Sequence, residues 1–215
     1  GNFTGQTFDF NAQVKALLAL PDGRLLVGGD FTRVNGETHV GTVVINPSTG
    51  QIDPSWDLQI VNALRGGAVS VRALTYYDGN VYMGGAFTHL TGGGSSKVYA
   101  RNAGRVSLSG RPDRSWNPEI SGSVQAVGVS EANSAFYAGG HFTTAHGNQR
   151  AWYAAKFSTQ AGAALDTGFS FEPSAPSAGK YQQTISSAGD RVYIGGSEHS
   201  LFGYDAASNQ RLSGA

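Results

Sequence analysis

The sequence predicts an all-β fold, a β-propeller or propeller fragment with about four blades of four antiparallel strands. A hydrophobic residue followed by Gly-Gly occurs four times, at a nearly constant spacing of about 56 residues. Fixed-period self-similarity on this scale is typical of stacked repeat architectures. Each repeat also contains short alternating apolar segments separated by turn residues, which is the pattern of propeller blades. The glycine pairs are Gly28-Gly29, Gly84-Gly85, Gly139-Gly140 and Gly195-Gly196.

Each repeat begins with an apolar strand, a tight turn and a second strand that ends in Gly-Gly. The turn contains Asp22-Gly23 in the first repeat and Asp78-Gly79 in the second. Asp-Gly between alternating strands indicates a hairpin, because a type I′ turn needs positive φ at both central residues. The Gly-Gly pairs are interpreted as sites of close backbone approach or positive φ at a strand end, since no sequence typical of a phosphate-binding loop follows them.

After Gly-Gly come Phe-Thr, a variable polar loop, a third strand and a fourth element with an Asp-x-x-aromatic pattern. Aromatic residues that recur at equivalent positions suit blade-to-blade packing, so we assign them to the core. The recurrent aspartates are expected to accept backbone N–H bonds within their own turns. The aromatic series are Phe31, Phe87 and Phe142, and Trp56, Trp116 and Phe169; the aspartates are Asp53, Asp113 and Asp166.

We expect a single domain over residues 1–215. The fourth repeat lacks Phe-Thr and has a shorter connection, which predicts a degenerate terminal blade or the edge of the domain. Residues 4–10 resemble the end of a blade and are expected to supply the last strand of a neighbouring or closing blade. A closed four-bladed ring and a partial propeller both remain open. The expected blades span roughly 12–58, 69–118, 123–171 and 181–213.

Composition excludes several classes of function. Hydrophobic residues make up 40% of the chain and charged residues only 14%, which predicts a real core rather than disorder. The formal net charge of zero provides no basic surface for nucleic acid or an anionic membrane. No apolar run approaches the roughly 20 residues of a membrane span. The absence of cysteine excludes disulfides and thiolate metal sites.

Several motifs carry a resemblance to a known family. Residues 27–36 read Val-Gly-Gly-Asp-Phe-Thr-Arg-Val-Asn-Gly, and residues 46–50 and 53–56 read Asn-Pro-Ser-Thr-Gly and Asp-Pro-Ser-Trp. Together with Ser-Trp-Asn-Pro at 115–118, they resemble the delta-60 repeat family of bacterial β-propellers, over residues 4 to about 171. The resemblance implies part of a large secreted or surface-exposed bacterial protein, and it implies no defined reaction.

The loops between the second and third strands differ most among the repeats, and divergent loops on a constant scaffold are where binding specificity usually lies. Trp152 lies beside the third loop and has no aromatic equivalent there in the first repeat. It is the best candidate for a ligand contact, with a core position as the alternative. The candidate ligand-binding residues are Trp152, Arg33, Asn35, His89, His146 and Arg150.

All five histidines follow a Gly-Gly pair closely, which places them toward one face. Their distances from the glycines differ, so no symmetric ring of ligands is implied. We interpret them as polar loop residues, with a metal or pH-sensing site as the alternative, and we expect no metal site. The histidines are His39, His89, His141, His146 and His199.

Together, these features predict a non-catalytic extracellular binding or scaffolding module, with no catalytic residue and no cofactor. Its expected partner is a glycan or protein ligand held by the loops, without nucleic acid or membrane insertion. Self-association or further chain would complete the ring. One alternative is a carbohydrate-active enzyme that uses non-equivalent carboxylates, such as Glu37 or Glu119 with a neighbour. The other is a purely structural spacer.

Overall fold

The computed structural model describes residues 7–171 and 180–213, and it shows an all-β β-propeller fold with four consecutive blades. Blade 1 contains β1 (Val14–Ala19), β2 (Leu25–Gly29), β3 (Arg33–Val34), β4 (Glu37–Thr38), β5 (Thr42–Asn46) and β6 (Gln51–Ile52). Next come β7 (Gln59–Val61) and blade 2, with β8 (Ser70–Tyr77), β9 (Asn80–Ala86), β10 (His89–Gly92), β11 (Ser95–Tyr99) and β12 (Ala103–Ser107). Blade 3 contains β13 (Val124–Ser130), a 3₁₀ turn (Glu131–Asn133), β14 (Ala135–Gly140), β15 (Thr144–Ala145), β16 (Gln149–Arg150) and β17 (Ala154–Ser158). Blade 4 contains β18 (Gln182–Ala188), β19 (Arg191–Gly196) and β20 (Leu201–Asp205).

Each blade is an antiparallel sheet in which the Gly-Gly strand lies between the first and third strands. The fourth strand is short. It is the two-residue β6 in blade 1 and a single bridge in the other blades, for example Tyr204 with Arg211 in blade 4. The Asp-x-x-aromatic segments are therefore turns that follow the fourth strand, rather than the strand itself. Among the described residues, no helix is long and apolar enough to cross a membrane.

The second glycine of each pair lies opposite a β-bulge in the first strand. In blade 1 the register shifts between Val14 and Ala16, and a Cβ on Gly29 would lie 2.3 Å from the carbonyl oxygen of Gln13. In blade 2 a Cβ on Gly85 would lie only 1.9 Å from the carbonyl oxygen of Ser70. Neither glycine is in the positive-φ region, so close backbone approach rather than an unusual backbone angle requires glycine here.

The first glycine of each pair makes room for the next blade. A Cβ on Gly28 would lie 2.8 Å from Cγ1 of Val71, and one on Gly84 would lie 2.4 Å from Cγ1 of Val124. The first strands pack in chain order, with β1 against β8, β8 against β13 and β13 against β18. The Gly-Gly repeat thus serves two contacts, one within a blade and one between blades.

A hydrophobic cluster fills the space between each pair of neighbouring blades. Trp116 is fully buried between blades 2 and 3, where its ring meets Tyr82 edge-on at 5.1 Å between centroids. Its indole N–H donates to the carbonyl oxygen of Ser158 at 3.0 Å. The assignment of the recurrent aromatic residues to the core is confirmed. All six are buried: Phe31, Phe87, Phe142, Trp56, Trp116 and Phe169.

The two Asp-Gly turns differ in geometry. Asp78 and Gly79 both have positive φ, at 46° and 76°, as a type I′ turn requires. In the first repeat only Gly23 has positive φ, and the turn is closed by a hydrogen bond from the Leu20 N–H to the carbonyl oxygen of Arg24. The loop between β1 and β2 is longer than the loop between β8 and β9, and Asp22 therefore keeps a negative φ.

The variable loops form three small hairpins, β3–β4, β10–β11 and β15–β16. The same hydrogen bond closes the base of each hairpin: the N–H groups of His39, Ala100 and Ala151 donate to the carbonyl oxygens of Thr32, Thr88 and Thr143. We refer to the three hairpins, with the segments that join one blade to the next, as the hairpin face.

Each hairpin pairs with the segment that precedes its blade. Phe10 bridges to Val34 in the first hairpin, β7 pairs with β10 in the second, and the N–H of Ser121 donates to the carbonyl oxygen of Thr144 in the third. Residues 4–10 are the segment that the sequence predicts to supply the last strand of a blade. Of this segment, residues 7–10 are described, and they contact the first hairpin, β3–β4. Residues 4–6 of that prediction lie outside the described residues.

Candidate functional site

The six candidate ligand-binding residues all lie on or beside the hairpin face. Their side chains do not converge on one point, and the contact among them is between Arg150 and Trp152. Arg33 and Asn35 belong to the first hairpin, His89 to the second, and His146 and Arg150 to the third, with Trp152 two residues after β16.

Arg150 and Trp152 form a stacked pair at the edge of blade 3. The guanidinium carbon of Arg150 lies 3.7 Å from the centroid of the Trp152 ring, which is close for a cation–π contact. Trp152 is half-buried and packs against the hydrophobic cluster between blades 3 and 4. The ring of Trp152 therefore belongs in part to the core and also lines the surface. Its role as a ligand contact stays a prediction.

A pocket of about 360 Å³ opens beside this pair, within the range of small-molecule and sugar-sized sites. Its wall combines the Trp152 indole and other aromatic rings with polar side chains that can exchange hydrogen bonds with a ligand. The principal lining residues are Gln149, Arg150, Trp152, Thr167, Ser170 and Phe171.

Asp166 also lines the pocket, but its carboxylate is already engaged. Lys156 lies 2.9 Å from Oδ2, the Asn209 amide donates to the same oxygen at 3.0 Å, and the N–H of Gly168 donates to Oδ1 at 2.9 Å. Burial would raise the pKa of Asp166, but the contacts from Asn209 and Lys156 outweigh it and hold the pKa below its usual range. This carboxylate is a structural anion.

The equivalent aspartates behave in the same way. Asp53 accepts from the N–H and the hydroxyl of Ser55, and these contacts, with the Arg24 guanidinium, hold its pKa below the usual range. The N–H of Ser115 donates to Asp113 at 2.8 Å. The prediction that each aspartate accepts backbone N–H bonds in its own turn is confirmed.

The second hairpin holds a different cluster. The ring of His89 meets Tyr99 edge-on at 5.4 Å, and the Tyr99 hydroxyl donates to the Glu119 carboxylate at 3.3 Å. Burial, together with the charge of Lys97, lowers the pKa of His89. The sequence analysis did not include Tyr99 among the candidate surface residues. Its aromatic side chain in an otherwise polar loop could have identified it.

The other candidate residues carry structural contacts. Arg33 donates through Nη1 to the carbonyl oxygen of Gly36 at 3.1 Å. Asn35 has a φ of 50° and exchanges two hydrogen bonds with the backbone of Asp9, so it ties the first hairpin to the preceding segment. His146 also has positive φ, at 46°, which shapes the turn of the third hairpin.

The carboxylates named for an enzymatic alternative lie in different surroundings. Glu37 is exposed on β4, where its carboxylate is 3.9 Å from Nε2 of His39. Glu119 lies beside Tyr99. The described residues contain no group of three or more histidine, aspartate or glutamate side chains placed to hold a metal ion.

Comparison with known proteins supports the fold. A family model described as "Domain of unknown function (DUF5122) beta-propeller" matches residues 20–55. The computationally designed Ika8 protein, known from a crystal structure, is similar with a TM-score of 0.53 at 14% identity, over 93% of this chain and 48% of that chain. This chain therefore spans about half the length of that protein. No curated protein matches the sequence significantly.

Proposed function

We propose that this chain is a non-catalytic extracellular binding or scaffolding module of a larger secreted or surface protein, and that it binds a glycan in the pocket beside Trp152. The observation that carries the proposal is the stacked Arg150–Trp152 pair at the mouth of a pocket on the hairpin face. The extracellular location rests on the resemblance to the delta-60 repeat family of bacterial β-propellers.

The chemistry of the pocket suits a sugar better than an apolar ligand. An indole offers a flat apolar surface to the C–H faces of a sugar ring, while Gln149, Thr167 and Ser170 offer hydrogen-bond partners for its hydroxyls. The guanidinium of Arg150 stacks on the Trp152 indole and adds positive charge beside the pocket. Asp166 is held by Lys156 and by the turn, which supports binding rather than acid–base chemistry.

Intrinsic fluorescence is a direct assay, because the three tryptophans differ in exposure. Trp56 and Trp116 are buried, whereas Trp152 is half-buried and lines the pocket. Titration with a panel of neutral and uronic-acid oligosaccharides should give a saturable change in emission. Trp152→Phe should remove most of the signal, and Arg150→Ala should weaken binding.

Arg65→Ala is the matched control, since Arg65 is exposed between β7 and β8 and does not line the pocket, so its substitution should leave affinity unchanged. The absence of glycan binding across the panel would refute the proposed ligand class. Equal affinity in Arg150→Ala and the wild-type protein would refute the proposed site.

A further inference from the structure

A second pocket, of about 430 Å³, lies where blade 1 meets blade 2 on the hairpin face. Its walls are residues that follow Gly28-Gly29, the segment that leads into β8, the first residues of β8 and the end of β9. Two charged side chains, Asp30 and Arg72, line it together with small apolar side chains. The apolar lining residues are Ala68, Val69 and Ala86.

The carboxylate of Asp30 is already engaged by other side chains. The Ser70 hydroxyl donates to Oδ1 at 2.5 Å, and Nζ of Lys15 lies 3.6 Å from Oδ2. Both contacts offset the negative charge, and neither involves Arg72. The guanidinium of Arg72 is therefore the charge in the pocket wall that Asp30 does not balance.

Arg72 has no acidic partner in the described part of the chain. It is the bulge residue of β8, because the register shifts between Val71 and Ala73. Nη1 donates to Oε1 of Gln125 at 3.3 Å, which is a long hydrogen bond, and Nε is buried without a hydrogen-bond partner. A buried cationic donor without a partner is costly, and a carboxylate satisfies a guanidinium with two parallel hydrogen bonds. Because Nη1 faces Gln125, the edge formed by Nε and Nη2 is left for such a pair.

Gln125 links Arg72 to His141. Arginine can only donate hydrogen bonds, so Oε1 of Gln125 accepts from Arg72, and Nε2 of Gln125 faces Nδ1 of His141 at 3.2 Å. Nδ1 therefore accepts, and the neutral imidazole carries its proton on Nε2. The His141 ring stacks on Tyr181 with 4.4 Å between the ring centroids. Burial and the charge of Arg72 lower the pKa of His141.

Protonation of His141 changes this arrangement. A protonated imidazole donates from both nitrogens, so Nδ1 then requires an acceptor from Gln125. The amide has to turn, which points its Nε2 at Arg72 and removes the acceptor for Nη1. Among the described residues, the groups that face the imidazole are Arg72 on β8, Gln125 on β13 and Tyr181 ahead of β18. An anion beside Arg72 would gain both from the freed guanidinium and from the added positive charge.

We propose that this pocket binds the carboxylate of a small organic acid through the guanidinium of Arg72, and that protonation of His141 strengthens the binding. The apolar part of the acid lies against Ala68, Val69 and Ala86. Gln125 and His141 are positioning residues, because they act on the ligand through Arg72. The site is separate from the pocket beside Trp152, and the inference does not rest on the proposed function.

The probe is isovalerate, whose carboxylate matches the guanidinium and whose branched chain matches the apolar wall. Isothermal titration calorimetry should show saturable binding of isovalerate and none of isovaleramide, its neutral analogue. Inorganic sulfate should bind more weakly, since it has no apolar part. The affinity for isovalerate should rise roughly threefold to tenfold between about pH 7.5 and about pH 5.5, as His141 gains a proton. Protonation of the probe acts in the opposite direction, so a rise identifies a group of the protein.

Arg72→Gln should lower the affinity for isovalerate by at least about tenfold, because the charge-assisted pair is lost. Arg111→Gln is the matched control: Arg111 is exposed and lies outside this pocket, and its substitution removes the same charge. His141→Gln should abolish the increase in affinity at about pH 5.5, since glutamine does not titrate. The comparisons of acid with amide and of the two pH values use the wild-type chain alone, so they test the proposal even where a variant does not fold.

Several results would overturn the proposal. Absence of isovalerate binding at both pH values refutes the site. Equal affinity for isovalerate and isovaleramide refutes recognition of the carboxylate, and equal affinity for sulfate refutes the ligand class. Unchanged affinity in Arg72→Gln assigns the binding to another place on the protein. An unchanged pH dependence in His141→Gln refutes the role of His141.

Discussion

Replacing Gln182 with valine is expected to stabilise the protein. Gln182 occupies the position that Val71 and Val124 hold in the preceding blades, where it seats on Gly139 between blades 3 and 4. Its side chain is fully buried, and neither Oε1 nor Nε2 has a hydrogen-bond partner among the described residues. A buried amide without partners retains the cost of its lost hydration, whereas valine has no such cost.

The size of the effect follows from two opposing contributions. Removing an unsatisfied buried polar group is worth roughly 1–3 kcal/mol. Valine is shorter than glutamine, so a small void offsets part of this gain. We therefore expect the free energy of unfolding of Gln182→Val to rise by about 1–2 kcal/mol, which corresponds to an increase in Tm of about 2–8 °C for a chain of this length.

Urea denaturation measures this change, because a shift of the midpoint at constant slope reports stability alone. Gln183→Val is the matched control. Gln183 is the next residue on the same strand and is exposed, so its substitution should change stability by less than about 0.5 kcal/mol. If Gln182→Val leaves the midpoint unchanged or lowers it while the control is neutral, the Gln182 amide is satisfied and the reasoning is refuted.

Three further predictions follow from the core, the glycine pairs and the histidines. Trp116→Ala should lower the free energy of unfolding by about 3–5 kcal/mol, since the side chain is fully buried between two blades. Gly85→Ala should prevent stable folding, measured by circular dichroism, because the methyl group would overlap the carbonyl oxygen of Ser70. Burial lowers the pKa values of His89 and His141, so the unfolded chain binds protons first as pH falls. Stability should therefore be fully present above about pH 6.5 and should decline as pH falls from there toward the lower pKa values of the folded state, measured by urea midpoints.

Each of these predictions has a control or a contradicting result. Loss of glycan binding by Trp116→Ala with an unchanged melting temperature would show that Trp116 is not a core residue. Normal stability of Gly85→Ala would show that the bulge in β8 can move away. His141→Gln should reduce the decline in stability below pH 6.5, and an unchanged decline would assign it to other groups.

The blade organisation was predictable because its cause is local. A glycine is needed wherever a carbonyl oxygen approaches as closely as that of Ser70 approaches Gly85, and this requirement returns in every blade. The burial of the recurrent aromatic residues was also predictable, because Trp56 and Trp116 fill equivalent spaces between successive blades. The pairing of Arg150 with Trp152 was also accessible, because residues two apart in an extended segment point to the same side.

Other features depend on contacts between segments that are distant in the chain, which the sequence alone does not reveal. Val14 and Val71 hold the same position in their strands, yet Val14 is 41% exposed and Val71 is buried against Gly28 of the preceding blade. Similarly, the contact of Tyr99 with Glu119 joins a hairpin to the next connecting segment. The fourth element was placed at the Asp-x-x-aromatic segment, but that segment is a turn that begins directly after the paired residue, as Asp113 does after Pro112.

The shared closure of the hairpins has a consequence for how such a protein can diversify. The hydrogen bonds between Thr32 and His39, Thr88 and Ala100, and Thr143 and Ala151 enclose segments of three different lengths on the same base. Each hairpin also pairs with the segment before its blade and places one apolar side chain, that of Val34, Leu90 or Ala145, in a hydrophobic cluster. Variation in length and sequence can therefore accumulate at the hairpin tips, whereas the base of each hairpin is constrained by the blade below it.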